Sequence, residues 1–485
     1  MKSKKLLVLV VGILVLCLLG GCANQSGKVK LDKENPVTIN VWHYYNGSIM
    51  NAFDAQVKAF NETVGAEMGI IVEGHAYGGV SDLDEAVLNA AKETVGSNAM
   101  PNILAAYADT ASQLDGMGKL ANLDAYLTAE DQALYLPSYI DDGKIGSNGE
   151  LLIFPIAKST EIFMLNDTDW KPFAEANNLS YDDLNTREGI AKVAALYYDW
   201  TDQKTPDITN DGKAFYGRDS LANLFIIASK EAGVDLFKVE GGKATVQLDK
   251  AVMKQIWDHY YISYISGHFA SIGRFRSDDA KVGDLLSYVG STASAGYFPK
   301  EVIDSDTQPR AIECKVLLAP NYSNGAKIMV QQGAGMVVTK ATPQAEYAAV
   351  EFLKWFTQDD INIMFSALSG YMPVKKAAID MEVMQPVLIK NNIEMSVVTS
   401  DTLKTVFEQI KDSTLYTTKP FQSGSEARSA LEQGFLTRCN AGREAVISML
   451  AGGATLPDAI AQHGSDEQFE QWYNDFSAAL NGIVK

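Results

Sequence analysis

The 485-residue chain lacks the short motifs that identify most enzyme families. It has no H-E-x-x-H, no G-x-S-x-G, no Walker loop and no complete G-x-G-x-x-G, because "GAGMVV" lacks the third glycine. The five histidines are scattered, and no pair has the spacing of metal ligands. We therefore expect no catalytic activity, no metal site and no cofactor.

Basic residues are in short supply. The chain has 41 Lys and Arg against 60 Asp and Glu, which gives a formal net charge of -19. A surface of that sign repels phosphate backbones and anionic headgroups. The composition therefore argues against a nucleic-acid partner and against direct binding of the folded part to lipid.

Cysteine is rarer still, with four residues in the chain. Cys17 lies in an apolar run near the N-terminus and Cys22 follows that run, so Cys314 and Cys439 are left. These two either pair outside the cell or serve as small buried apolar residues, and the sequence leaves both interpretations open.

Only one long apolar run is present, and its 14 residues from Leu6 to Leu19 are fewer than the roughly 20 that span a bilayer. Three lysines precede the run and "LGGC" closes it at Cys22, which is typical of an export signal. The ending resembles the lipobox of bacterial lipoproteins. This resemblance implies that residues 1–21 are a signal peptide and that acyl chains such as palmitate on Cys22 anchor the protein at the extracytoplasmic face of the cell membrane. A signal peptide that ends in a chance cysteine is the alternative.

A polar tether is predicted for residues 22–36, and folded structure from Val37 onwards. Alternating apolar residues predict a strand at 37–41, and apolar spacings of three and four predict an amphipathic helix at 49–64. Further strand, helix and strand patterns cover residues 70–107. This order predicts an α/β fold with a parallel sheet covered by helices, and the length allows two or three domains.

Six segments, in chain order, resemble the extracellular solute-binding proteins of ATP-driven importers (family 1). The segments are "VTINVWHYYNGSIMNAFDAQVKAFN", "MPNILAAYADTASQL", "LLIFPIAKSTEIFMLN", "GSTASAGYF", "GAGMVVTKATPQAEYAAVEFLKWFTQ" and "SGYMPVKKAA". The carbohydrate-binding branch, which includes maltose-binding and glycerol-3-phosphate-binding proteins, is the most similar. The glycerol-phosphate relatives also carry Trp-His after the first strand and Gly-Tyr-x-Pro late in the chain.

The resemblance implies a two-lobed periplasmic-binding-protein fold (type II, Venus-flytrap) with an interlobe cleft and extra C-terminal helices. Lobe 1 is expected to comprise residues 37–156 plus 291–341, and lobe 2 residues 157–290 plus 342–485. The chain would cross between the lobes at "PIAKST", at "YVGSTAS" and after "MVVTK". Residues at these crossings would face the cleft, where open α/β sheets present ligand sites.

The stretch "VWHYYNG" places four rings at the end of the first predicted strand. A sugar has apolar C–H faces and a rim of hydroxyl groups, so its pocket needs flat aromatic walls and fixed polar groups. Trp42, His43 and Tyr44 are therefore predicted to contact ligand. Packing inside the lobe core is the alternative, and we favour it for Tyr45.

The remaining candidate contacts are implied by the resemblance, residue by residue: Tyr77, Tyr107, Asp109, Lys158, Ser159, Ser294, Gly333, Tyr371 and Arg428. Arg428 falls where the glycerol-phosphate relatives place a phosphate-binding arginine, and Asp109 lies one position from an acidic ligand residue of theirs. For each candidate, a structural role in a hinge or loop is the alternative.

The expected function is capture of a mono- or oligosaccharide by a monomer that delivers it to the permease subunits of an ABC importer and their ATPase. The first alternative keeps the fold and changes the ligand to glycerol 3-phosphate or a glycerophosphodiester. A second is an exported glycoside-processing enzyme, which would need two facing carboxylates. A sensor that presents bound sugar to a receptor is a third.

Overall fold

The structure is a computed structural model that describes residues 29–303 and 308–484. The predicted signal peptide and the predicted lipidation site at Cys22 lie outside the described residues. Within these two ranges, no helix combines the length and the apolar character needed to cross a membrane.

Two sheets organise the chain. The strands are β1 (Val37–His43), β2 (Ile70–Ala76), β3 (Ile103–Ala106), β4 (Ile153–Phe154), β5 (Glu161–Asn166), β6 (Ala214–Arg218), β7 (Phe237–Glu240), β8 (Lys243–Val246), β9 (Leu285–Ser291), β10 (Glu301–Val302), β11 (Arg310–Ala311), β12 (Cys314–Leu318), β13 (Ile328–Val330), β14 (Gly335–Val338) and β15 (Thr414–Tyr416). The first sheet has the order β2-β1-β3-β14-β4 and the second the order β12-β5-β9-β6. The remaining strands form three two-stranded pairs.

Helices cover both sheets. They are α1 (Gly47–Glu62), α2 (Val64–Met68), α3 (Val80–Ala91), α4 (Ala108–Gly116), α5 (Ala129–Ala133), α6 (Pro137–Gly143), α7 (Asp167–Asn177), α8 (Arg187–Asp202), α9 (Leu221–Glu231), α10 (Lys250–Ile256), α11 (Ile262–Ile265), α12 (Arg276–Lys281), α13 (Pro343–Phe356), α14 (Asp359–Ser369), α15 (Met381–Lys390), α16 (Val397–Asp412), α17 (Gly424–Ala451), α18 (Leu456–His463) and α19 (Asp466–Ile483). A π-helical turn, Trp257–Tyr261, joins α10 to α11, and four short 3-10 helices complete the described part.

The first sheet begins as predicted. β1 pairs in parallel with both β2 and β3. Ile39 and Val41 of β1 are fully buried, and the apolar face of α1 adds Phe53 and Phe60 to the same core. The chain returns to this sheet later as β14, which runs antiparallel to β3 and β4.

Two large hydrophobic cores are found in the described part of the chain. The first surrounds the first sheet and extends onto one face of the second sheet at Ile162 and Met164, and the second packs on the other face of the second sheet. We call the body built on the first sheet lobe 1 and the body built on the second sheet lobe 2. The core of lobe 2 includes residues from α17 and α19, so the last helices of the described chain belong to it. The predicted two-lobed α/β architecture is thus confirmed.

The structure places two segments in the lobe opposite to the one predicted for them. β12, expected in lobe 1, pairs with β5 in the second sheet. Helices α13 to α15, expected in lobe 2, belong to the first core, because the apolar stripe of α13 packs Phe352 and Phe356 against the rings of α1. Helix α16 packs on β12 of the second sheet and therefore lies in lobe 2, as expected. The crossings therefore lie at residues 155–160, at 331–334 and between α15 and α16.

The two candidate partners for a disulfide are free thiols in the structure. Cys314 lies half-buried on β12, and Cys439 is buried in α17. Burial raises the pKa of the Cys314 thiol to about 12 and that of Cys439 well above its ordinary value. Both thiols are therefore protonated and unreactive at neutral pH.

Candidate functional site

A cavity of about 370 Å3 lies between the two lobes. The crossing segments around Lys158 and Gly333 contribute to its wall, and Ser159 and Gln332 join them through backbone hydrogen bonds of 2.9 and 3.0 Å. The principal lining residues are Ser81, Asp84, Tyr107, Asp109, Asp142, Lys158, Asn223, Phe237, Gln331, Gln332, Gly333, Tyr416, Lys419, Phe421, Gly424 and Arg428. Both lobes thus contribute side chains to one site.

The lobe 1 wall is built where β3 ends and α4 begins. All four residues of β3 are buried, and the chain emerges at Tyr107, the N-cap residue of α4. Its ring lines the cavity and is 39% exposed. Behind it the ring of Tyr44 stacks at a centroid distance of 6.4 Å, which holds Tyr107 in place.

Two carboxylates lie beside Tyr107. Asp84, on α3, accepts a hydrogen bond of 2.9 Å from the Thr110 hydroxyl. Asp109, in the first turn of α4, accepts one of 3.4 Å from the backbone N–H of Phe421 in lobe 2. Burial raises the pKa of both carboxyl groups, and it does so despite these hydrogen bonds.

The lobe 2 wall is formed by the starts of α9 and α17. Arg428, one turn into α17, donates a hydrogen bond of 2.8 Å from Nη2 to Oδ1 of Asn223. Gly424, the first residue of α17, lies so close to lobe 1 that a Cβ atom there would be 2.5 Å from Oδ1 of Asp109. The two lobes are therefore in contact beside the cavity.

The crossing segments are fixed by a buried lysine. Lys158 Nζ forms an ion pair of 2.5 Å with Asp142 Oδ2 and donates a hydrogen bond of 3.1 Å to the carbonyl oxygen of Gly333. Gly333 has φ of +98°, a conformation that favours glycine. Lys158 therefore ties one crossing segment to the other and to α6.

The structure brings five of the predicted site residues together in the cavity wall: Tyr107, Asp109, Lys158, Gly333 and Arg428. Tyr44 is half-buried behind Tyr107 and does not line the cavity itself. Their roles in ligand binding stay predictions, but their positions agree with a site between the lobes.

The other predicted residues lie away from the cavity wall. Trp42, His43, Ser159 and Tyr371 are buried, with Trp42 against the half-buried Tyr77 at a ring distance of 5.0 Å. A parallel sheet is covered on both faces, so the alternation in β1 does not leave Trp42 facing solvent. The half-buried Ser294 donates its hydroxyl to the carbonyl of Ser291 at 2.6 Å, a local structural contact. Tyr45 is buried, as the packing interpretation expects.

Several lining residues were missed by sequence reasoning: Asp84, Asp142, Asn223, Phe237, Gln332 and Phe421. Asn223 had a local signal, because it is a buried amide inside the apolar run "LANLFIIA". A buried polar side chain needs partners, and a lone amide in such a run is therefore a site candidate.

The fold is expected to lose stability in acid because of two histidines, one of which is His43 of "VWHYYNG". Burial lowers the pKa of His43 to about 4, and burial likewise lowers the pKa of His268 to about 4. Histidine in an unfolded chain titrates near 6.5, so between about pH 6.5 and 4 the unfolded state binds more protons than the folded state. The free energy of unfolding should therefore fall as the pH drops through this window. Each of the two histidines contributes a loss of up to about 1.4 kcal/mol per pH unit.

Urea unfolding at pH 7, 6 and 5 measures this effect. The His43→Gln variant should show a shallower fall of unfolding free energy than the parent protein. An identical pH dependence in the two proteins would contradict the assignment to His43.

A family model described as "Bacterial extracellular solute-binding protein" matches residues 55–396, which is most of the chain and includes both crossing segments at the cavity. The chain belongs to the extracellular solute-binding protein family. No curated protein matches this solute-binding protein.

Solved structures share its architecture. A cyclic alpha-maltosyl-1,6-maltose binding protein from Arthrobacter globiformis is 20% identical, with 92% of this chain and 100% of that chain covered and a TM-score of 0.61. UgpB from Mycobacterium tuberculosis, in complex with glycerophosphocholine, is 17% identical, with 92% and 98% covered and a TM-score of 0.60. Maltose-bound MalE3 from T. maritima is 12% identical, with 92% and 100% covered and a TM-score of 0.61. At sequence identities this low, the similarity shows that the chain shares the fold of these proteins.

Proposed function

We propose that this solute-binding protein captures a carbohydrate in the cavity between its lobes and delivers it to an ABC permease. The observation that carries the proposal is the cavity itself, whose volume of about 370 Å3 lies in the range of small-molecule sites and whose wall comes from both lobes. Solved structures of similar fold include proteins in complex with maltose, maltotriose and cycloalternan, and a cyclic alpha-maltosyl-1,6-maltose binding protein.

The chemistry of the lining suits a sugar. Tyr107, Phe237, Tyr416 and Phe421 supply aromatic rings for the C–H faces. Around them stand carboxylate and guanidinium groups that can bond hydroxyl groups, among them Asp84, Asp109 and Arg428. Polar groups at fixed positions beside flat apolar surfaces are what a pyranose ring requires.

The two-lobed arrangement suits a capture mechanism. Ligand binds one wall, the lobes close about the crossing segments, and the second wall completes the contacts. Closure follows only if the ligand interacts better with the closed form than with the open form. A micromolar dissociation constant corresponds to about -8 kcal/mol, which a few rings and hydrogen bonds can supply.

Delivery needs partners. The chain has no ATPase motif, so the energy for import would come from a separate ATPase acting through permease subunits. An acylated Cys22 would keep the monomeric protein at the extracytoplasmic face of the membrane. Labelling with a palmitate analogue, compared between the parent protein and Cys22→Ala, tests the anchor.

Tyr107→Ala should weaken ligand binding about ten- to a hundredfold, because burying an aromatic side chain is worth roughly 1.5–3 kcal/mol. Isothermal titration calorimetry with maltose, maltotriose and glycerophosphocholine measures the loss. Tyr347→Ala, on α13 away from the cavity, is the matched control and should bind as the parent does. Equal affinities for the parent and Tyr107→Ala would contradict a ligand site beside Tyr107.

A phosphate-bearing ligand is the second candidate. In the part of the chain that the structure describes, no carboxylate forms an ion pair with Arg428, and Lys419 lines the same wall. A guanidinium that is not paired with a carboxylate is well suited to phosphate oxygens. The same calorimetric series separates the two candidates, because binding of glycerophosphocholine without binding of the sugars would favour the phosphate-bearing ligand.

An enzyme would need more than binding. Asp84 and Asp109 are two carboxyl groups in one cavity, as a glycosidase requires. Family members are binding proteins, and we propose that both groups hold hydroxyl groups here. Release of shorter products from labelled maltotriose would overturn this proposal.

A further inference from the structure

Arg428 is held by a residue that sequence reasoning did not select. Asn223 Oδ1 accepts the hydrogen bond of 2.8 Å from Arg428 Nη2. Asn223 is 2% exposed, so the accepting end of this contact is shielded from water. A hydrogen bond with an ionised donor is stronger than one between neutral groups, and shielding strengthens it further.

The amide nitrogen of Asn223 donates its hydrogen bonds to two other residues. Nδ2 donates to Oε1 of Glu161 at 3.0 Å and to Oε1 of Gln332 at 3.1 Å. Glu161 begins β5 directly after the first crossing segment, and Gln332 lies in the second. Since both protons of the amide are used, the orientation of Oδ1 toward Arg428 is fixed.

The backbone fixes Asn223 as well. Ser220 caps α9 by accepting a hydrogen bond of 3.2 Å from the backbone N–H of Asn223. The carboxylate of Glu161 is itself anchored by Arg218 at 2.6 Å. The carboxylate that accepts a hydrogen bond from the Asn223 amide is therefore itself held by a second contact.

We infer that Asn223 is a positioning residue that sets the direction of the Arg428 guanidinium in the cavity and couples it to both crossing segments. Arg428 keeps further N–H donors for ligand oxygens, and its hold on Asn223 determines where those donors point. A ligand that shifts Arg428 would also shift Asn223 and, through it, Gln332 and Glu161. Binding is thereby linked to the two crossing segments. This inference shares one assumption with the proposed function, namely that Arg428 contacts the ligand.

A double-mutant cycle tests the inference in the full chain. Asn223→Ala should weaken binding of the probe that the parent protein binds, maltotriose or glycerophosphocholine, by about tenfold. In the Arg428→Ala background the same change should have little further effect, because Asn223 acts through Arg428. Equal losses in both backgrounds would mean a general structural role and would overturn the inference.

Ser229→Ala is the control on the same helix. Ser229 is fully buried on α9, and its hydroxyl has no hydrogen-bond partner among the described residues, so its removal breaks no bond. This variant should bind as the parent does. A tenfold loss here as well would attribute the effect of Asn223→Ala to disturbed packing of α9.

A second measurement needs no ligand. In a crystal structure of ligand-free Asn223→Ala, the guanidinium of Arg428 should leave its position or lose its density, while Ser229→Ala leaves it in place. An unmoved guanidinium would overturn the inference. If neither probe binds the parent protein, the proposed function fails, and this comparison still decides the role of Asn223.

Discussion

Replacing Arg218 with methionine is expected to lower the free energy of unfolding by about 3–5 kcal/mol, the cost of leaving a buried charge without its partner. Arg218 Nη2 lies 2.6 Å from Glu161 Oε2, and both side chains are buried where β6 and β5 meet the cleft. Without the guanidinium, the Glu161 carboxylate keeps only the hydrogen bond from Asn223 among the residues that the structure describes. Urea unfolding followed by circular dichroism measures the loss.

Two further variants identify the cause. Arg218→Met combined with Glu161→Gln should recover much of the loss, because no carboxylate is then buried alone. Arg310→Met breaks a more exposed pair with Asp169 and should cost less than about 1 kcal/mol. If Arg218→Met and Arg310→Met were equally stable, the buried pair would not be a structural anchor.

The second large effect is expected for Lys158→Met. The change removes the ion pair with Asp142 and the hydrogen bond to the Gly333 carbonyl while keeping a straight side chain of similar length. Asp142 retains some contact with solvent, so the loss should lie near the lower end of the range for buried pairs, about 3 kcal/mol. Asp142 also lines the cavity, so its unpaired charge should disturb ligand binding.

Thermal unfolding and calorimetry together check the effect of Lys158→Met. Lys144→Met is the matched control, because Lys144 pairs with Asp141 on the exposed side of the same region. The control should be as stable as the parent. A stable Lys158→Met protein with parental affinity would show that the two crossing segments hold together without this lysine.

The parts of the fold that were predictable are those set by neighbouring residues. The alternation at Val37 to Val41 and the apolar spacing from Ile49 are local patterns, and both gave the correct element. The placement of β12 was not predictable in this way, because its partner β5 lies about 150 residues earlier and no local pattern selects it.

The candidate site likewise contains residues that local sequence indicates and residues that only the fold brings together. Tyr107 and Asp109 follow a buried strand at the carboxyl edge of a sheet, so their place beside the cavity was within reach of the sequence. Alternation on β1 indicated which face holds Trp42 but not that helices cover that face too. The pairing of Asn223 with Arg428 joins residues 205 positions apart, and only the folded chain brings them together.

The contact between Gly424 and Asp109 has a consequence at the far end of the molecule. Helix α17 runs for 28 residues from Gly424 to Ala451, and at 1.5 Å per residue this is about 42 Å. Because α17 belongs to the core of lobe 2, opening of the gap would carry the whole helix away from Asp109 together with that lobe. A fluorophore beside Ala451, paired with a second one on lobe 1, would therefore report each opening event as a change in their separation.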